Sequence, residues 1–365
     1  MSSVTSKDRV LAAINLQEPD RVPMDFSANK ATLERLMKDI DCPDLFGLIK
    51  TLGADIVDLR GVVDPVYKGP VPEKRELANG VSENFWGWRT KIEQTATGPE
   101  EMFCEFILAN KTHQEIQQHL WPQVDWFDFS DFGQRLEKWQ DLAVMASGPS
   151  VWQHPSFLRG LDNLMADLML APDTAEFLMD KFTDFYVAYF DKMFSQVPGK
   201  IDILRIADDI GMQDRLIMSR QMILQFIIPR VKKIVDMAHS HGVKVMLHSC
   251  GSIFEIIDDI IEAGVDILDP LQVTAKGMDP KDIKESFGSR ICLHGAIDTQ
   301  FLLPKGSGED VSKTVKEMID ILGKGGGYIL SPSHVLQTDV PTANVLALYE
   351  SGLIKGIENG KTRSF

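Results

Sequence analysis

From about residue 140 onward, short apolar runs alternate with longer stretches whose apolar residues recur at helical spacing. The runs are Leu142-Ala143-Val144-Met145-Ala146, Ile203-Leu204-Arg205-Ile206, Val243-Lys244-Val245-Met246-Leu247, Val265-Asp266-Ile267-Leu268, Arg290-Ile291-Cys292-Leu293 and Tyr328-Ile329-Leu330. Each is strand length and rich in β-branched or large aliphatic residues, the composition of parallel strands buried on both faces. Between them, residues 222–238, 254–263 and 311–322 read as amphipathic helices. This alternation predicts a parallel sheet with helical crossovers. Two upstream runs, residues 21–26 and 54–59, bring the strands to eight, the number that closes a (β/α)8 TIM barrel. An open doubly wound sheet would need a Gly-rich turn after its first strand, and Asp25-Phe26-Ser27-Ala28 is no such turn. Gly325-Gly326-Gly327 precedes a strand, so it reads as a helix-ending turn and not as a phosphate cradle.

Residues 61–140 break the rhythm and hold five of the six tryptophans: Trp86, Trp88, Trp121, Trp126 and Trp139. The pattern predicts an aromatic-rich insertion after an early strand, either capping the barrel mouth or packed on the barrel as a satellite cluster. No repeat or linker interrupts the chain, so residues 1–365 are expected to form one barrel domain. A formal net charge of -15 argues against nucleic acid and against anionic membranes as partners. Neither a signal-like start nor a bilayer-length apolar run of about 18 residues is evident. The four cysteines are scattered, which is no disulfide framework, and a cytoplasmic protein is expected. A homodimer is compatible with this chain.

In a parallel barrel the active site lies where the strands end. The residues there are Asp25, Arg60, Ser147, Asp208, Asp209, His248, Cys250, Asp269, Gln272, His294, Asp298 and His334. Nearly every strand thus ends in a group able to bind a metal, carry a proton or orient a ligand. His248 and Cys250 are the sharpest pair. On an extended chain, positions i and i+2 share a side, so an imidazole and a thiol converge while Ser249 faces away. Zinc accepts such N and S ligands. Ser252-Ile253-Phe254-Glu255 reads as a capping box, which would set Cys250 before a helix N-terminus and favour its thiolate. The competing account is a hydrogen-bonded core histidine beside a buried thiol. His334 is the expected third ligand, with Asp208, Asp209 and Glu83 behind it. Asp208, Asp209 and His294 are the candidate proton carriers, one of the two aspartates being expected to serve instead as a cap or ion-pair partner. Gln213, Trp152, His154 and Arg159 are candidate substrate contacts.

These residues resemble the uroporphyrinogen decarboxylase superfamily over nearly the whole chain. The resemblance rests on Leu247-His248-Ser249-Cys250-Gly251, Leu293-His294-Gly295-Ala296-Ile297-Asp298 and the segment from Gly326 to His334. It implies a (β/α)8 barrel. True decarboxylases of the superfamily carry paired arginines near the N-terminus, which Pro23-Met24-Asp25-Phe26-Ser27-Ala28-Asn29-Lys30 lacks. The chain looks closer to the zinc methyltransferases that exchange methyl groups with a corrinoid protein. Their thiol-methylating members carry a second Cys after the last strand, where this chain has His334. The resemblance therefore implies a methyltransferase similar to the first component of corrinoid-dependent O-demethylases. It would move a methyl group from a small donor, expected to be an aryl methyl ether, to a corrinoid (cobalamin) on a partner protein, with zinc as Lewis acid. Other readings are a thiol or folate methyltransferase, a decarboxylase of smaller substrates, and a non-catalytic binding barrel.

Overall fold

The computed structural model describes residues 4–95 and 98–353. Seven parallel strands form one curled sheet: β1 (Ile56–Asp58), β2 (Ala143–Ser147), β3 (Ile203–Ala207), β4 (Lys244–His248), β5 (Ile267–Leu271), β6 (Cys292–Ile297) and β7 (Tyr328–Pro332). They neighbour one another in chain order. Helices cross between them, among them Pro172–Gln196, Ile228–Ser240 and Gly308–Met318. No helix among the described residues is long and apolar enough to cross a membrane.

The eighth expected strand, at residues 21–26, is the one departure. It makes a single parallel bridge, Met24 to Leu330. Pro23 has no N–H to give a ladder, so pairing cannot extend through it. The segment still joins the two sheet ends: Asp25 N donates to Leu330 O at 2.9 Å, and Asp55 N donates to Met24 O at 2.7 Å.

The barrel interior is layered by the two-residue period of its strands. Its floor is an apolar cluster containing Ile56, Met145, Ile203, Met246, Ile267, Cys292 and Ile329. Val10, Ala13 and Ile14 of helix Ser6–Ile14 plug this cluster. Two residues further along each strand stand Asp58, Ser147, Arg205, His248, Asp269, His294 and Ser331. A polar ring thus lies directly above a dry floor.

The insertion builds its own four-stranded antiparallel sheet, running from Lys74–Glu76 to Gly98–Glu105. Its aromatic residues do not wall the barrel mouth. Trp86 stacks on Phe182 at 4.4 Å between ring centroids, and Trp88 meets His154 at 4.6 Å. The seam therefore lies between the insertion and the helices Gln153–Arg159 and Pro172–Gln196. The hairpin does pass near the loop after β7, for a Cβ on Gly98 would stand 3.6 Å from Thr338 Oγ1.

Candidate metal centre

His248 ends β4, and the register with β5 places it directly opposite Asp269. Cys250 lies two residues on, and its Sγ stands 3.5 Å from His248 Nε2. His334, just beyond β7, completes the group: one ligand atom from each of His248, Cys250 and His334 lies within 4.8 Å of the other two. A nitrogen, a sulfur and a nitrogen this close make a donor set suited to zinc or a similar ion.

The loops after β3 and β4 are pressed together to achieve this. A Cβ on Gly251 (φ +92°) would meet Met212 O at 2.5 Å, and one on Gly211 would meet Cys250 O at 2.5 Å. Only paired glycines allow that approach. It carries Asp209 to the thiol: Cys250 N donates to Asp209 Oδ1 at 2.9 Å, and that oxygen lies 3.8 Å from His248 Nε2.

The expected capping box is absent. Ser252 N donates to Met212 O, and its Oγ donates to Lys276 O, because the same loop contact has claimed it. The helical turn starts at Phe254 with no side-chain cap. The thiolate expectation is corrected with it. Burial, then the charges of Asp209 and Asp269, push the Cys250 thiol up to about 12. Only a cation seated among these groups would bring that proton off at neutral pH.

Asp269 organises the ring, and the choice of functional residues from sequence passed over it. Its Oδ2 receives Arg205 Nε at 2.8 Å and faces His248 Nδ1 at 2.8 Å. Its Oδ1 faces His294 Nδ1 at 2.7 Å. Although burial opposes it, Arg205, His248 and His294 hold this carboxyl well below the usual carboxylate range. Arg205 Nη2 reaches the same His248 Nδ1 at 2.7 Å, so the carboxylate and the guanidinium together fix the ring with Nε2 facing Cys250. Asp25, like Asp269, stands among the strand-end residues without an assigned role, whereas Arg205, two residues past Ile203 on the inward face, is outside that set.

His294 offers no free nitrogen. Its Nδ1 faces Asp269, its Nε2 faces Asp25 Oδ2 at 3.1 Å, and the residue is buried. Burial favours the neutral ring, but the two carboxylates outweigh it and raise its pKa to about 9.

Asp208 and Asp209 separate cleanly. Asp208 is fully buried and accepts from Ser150 Oγ and from the backbone N–H groups of Val151, Trp152 and Gln153, at 2.6 to 2.9 Å. Burial pushes its carboxyl up to about 6 against those four donors, so it is an anion at neutral pH. Asp208 thus holds the start of a helix, whereas Asp209 faces the metal group.

A cavity of about 460 Å3 opens above this group, lined by Cys250 and His334 together with Gln213, Gln272, Gln300 and Gln337. Of the expected substrate contacts, Gln213 alone lines it. Trp152 is buried in the core. His154 sits in the aromatic seam, its Nδ1 against the Tyr186 hydroxyl. Arg159 grips Asp167 and the carbonyls of Leu108, Ala109 and Lys111. Glu83 is bound between Arg75 and Arg89 in the insertion. None of these four lines the cavity: Trp152 packs in the core, His154 and Arg159 bind at the seam, and Glu83 binds within the insertion sheet.

Comparison with known proteins agrees with this architecture. The model of the family Uroporphyrinogen decarboxylase (URO-D) matches residues 134–352. Methylcobamide:CoM methyltransferase MtbA of Methanosarcina acetivorans is 27% identical over 217 residues, covering 58% of this chain and 58% of that protein. The chain thus spans less than two thirds of that relative's length. Uroporphyrinogen decarboxylase of Coxiella burnetii is 22% identical over 339 residues, covering 92% of this chain and 83% of that one. A solved methyltransferase from Methanosarcina mazei superposes with a TM-score of 0.66 at 21% identity, covering 96% of this chain and 98% of the other. That last likeness is one of fold.

Proposed function

This chain belongs to the uroporphyrinogen decarboxylase (URO-D) family, and within it we propose a corrinoid-dependent methyltransferase that removes a methyl group from a small methyl ether. The observation that carries this reading is the convergence of His248, Cys250 and His334 within 4.8 Å at the cavity. Such a donor set is of no use to a decarboxylase working without metal. The similarity to a methylcobamide:CoM methyltransferase supports the same choice.

When bound, zinc would act as a Lewis acid toward the donor's oxygen, and cobalt(I) of a corrinoid on a partner protein would take the methyl group. The chain's own residues prepare that site. Asp269 orients His248 by holding Nδ1, Cys250 brings a sulfur to the same point, and His334 closes the group from the last strand. Asp209, half-exposed, sets a carboxylate 3.8 Å from His248 Nε2 beside the same point. The electron pair of the broken C–O bond stays on the donor's oxygen, so a nearby cation lowers the barrier.

Transfer in the opposite sense, from a methylated corrinoid to a thiol, is the second reading, favoured by the name of the Methanosarcina relative. Metal analysis of purified protein tests the centre. Stoichiometric zinc in the wild type and its loss in Cys250→Ala are expected; no metal in either would overturn the proposal. Formation of methylcobalamin from cob(I)alamin and a methyl ether, followed by its absorbance, then fixes the direction.

A further inference from the structure

The cavity above the metal group is unlike a pocket for an aromatic ring. Its walls carry four carboxamides, the hydroxyls of Thr274, Thr299 and Ser333, and the carboxylates of Asp298 and Asp339. Neither an aromatic ring (the imidazole of His334 apart) nor a Lys or Arg is among the residues that line it. The amides are held in order. Gly251 N donates to Gln272 Oε1 at 2.7 Å, and Gln272 Nε2 donates to Gln213 Oε1 at 3.2 Å. Thr274 Oγ1 donates to Gln300 Oε1 at 3.4 Å, and Asn29 Nδ2 donates to Gln337 Oε1 at 2.8 Å.

Two of these amides are therefore spent on one side only. The oxygens of Gln300 and Gln337 accept from the protein, which leaves both NH2 groups as donors with no protein partner among the described residues. Asp339 lines the same cavity as a carboxylate acceptor, also without a partner among those residues. Carboxamide donors set beside a carboxylate acceptor match a ligand whose neighbouring groups each donate and accept. A hydroxyl does both.

Resting on the methyl-transfer reading above, we propose that the methyl donor is an uncharged, aliphatic, hydroxyl-rich methyl ether, a methoxylated polyol or sugar. Its hydroxyls would pair with Gln300, Gln337 and Asp339 while its methoxy group reaches toward Cys250 and His334. The other donor classes fit worse, each for a stated reason. An aryl ether would cover the free amides without pairing them, and unpaired buried polar groups weaken binding. An anion would face Asp298 and Asp339 with no cation in the wall. A quaternary ammonium compound would lack the aromatic faces that such cations favour.

Calorimetric titration of the full, metal-loaded chain tests this with four probes: 3-methoxy-1,2-propanediol, 3-O-methylglucose, methoxybenzene and 4-methoxybenzoate. At least one hydroxylated ether should bind more tightly than both aryl compounds. Gln337→Leu and Asp339→Asn should each weaken that binding at least about tenfold while leaving the bound metal in place. Tighter binding of methoxybenzene or 4-methoxybenzoate, or hydroxylated-ether binding that ignores both substitutions, would overturn the proposal. Absence of metal from the purified chain would instead overturn methyl transfer. The two failures are separate measurements.

Discussion

Two histidines sit in two interiors of this molecule, and their surroundings drive them in opposite directions. His294 lies in the polar ring with a carboxylate on each ring nitrogen, and its pKa rises to about 9. His154 lies in the aromatic seam among Trp88, Phe157, Phe182 and Tyr186. There burial, with a smaller push from Arg60, drives its pKa down to about 3. Burial alone therefore says little about a histidine's charge. The partner decides it: counter-charges make the ring an ion, and a wall of rings keeps it neutral. The ring is an electrostatic device, and the surroundings of His154 are aromatic packing with a hydrogen bond to Tyr186.

The largest expected effect comes from giving both positions the same apolar side chain. His294→Leu removes the cation from between Asp25 and Asp269, and breaking a buried pair in this way costs about 3–5 kcal/mol. His154→Leu removes one hydrogen bond to Tyr186 and keeps the apolar packing, so a loss of about 1–2 kcal/mol is expected. Denaturant unfolding of the two variants measures both. Equal losses would erase the distinction between the regions.

The pH dependence sharpens the same contrast, and its sign differs between the two sites. The folded pKa of His294 is raised to about 9, from an ordinary value near about 6.5. Its stabilising contribution is complete below the ordinary value and is lost as pH climbs through the raised one. The folded pKa of His154 is depressed to about 3. The neutral ring's contribution is present above about 6.5 and is lost as pH falls toward the depressed value. On metal-free protein, the stability gap between wild type and His294→Leu should narrow from pH 7 to about 9.5. Wild type should lose ground against His154→Leu between pH 6.5 and about 4. A gap that stays flat in either series removes that half of the comparison.

Sequence pattern alone discloses much of one region and little of the other. Met246, His248 and Cys250 alternate along β4 and its extension, so the period of a strand already aims the imidazole and thiol at one point. His334 follows from its place as the first titratable group past the last strand and not from that period, because Ile329 and Ser331 hold the inward phase there. What the pattern lacks is partnership across strands. Whether His294 is a free donor depends on Asp25, distant in the chain, and whether Asp208 is a free acid depends on the N–H groups of residues 151–153. The seam is harder still. Trp152, His154 and Arg159 stand near the end of β2 in the chain, which makes them resemble pocket residues. Trp152 turns into the core, and the side chains of His154 and Arg159 turn to an insertion that the family match, starting at residue 134, leaves almost entirely outside. The capping box failed for a related reason: its serine was claimed by a neighbouring loop.

The finest contrast comes from two adjacent carboxylates that fall on opposite sides of the divide, one of which carries the smallest stability effect. Asp208 anchors the seam's helix through three backbone N–H groups and one hydroxyl. Asp208→Asn puts an amide nitrogen against donors where an oxygen stood, and a cost of about 1–3 kcal/mol is expected. The metal content should stay unchanged. Asp209 is half-exposed at the mouth, near His248 Nε2 and on the amide of Cys250. Asp209→Asn should shift stability by no more than about 0.5 kcal/mol, as surface changes do. It should nonetheless lower the rate of methylcobalamin formation, because the carboxylate that faces His248 and holds the amide of Cys250 is lost. The two variants thus invert each other, one losing fold and keeping metal, the other keeping fold and losing turnover. If Asp208→Asn abolished turnover with unfolding unchanged, the border between seam and site would have to be redrawn one residue earlier in the chain.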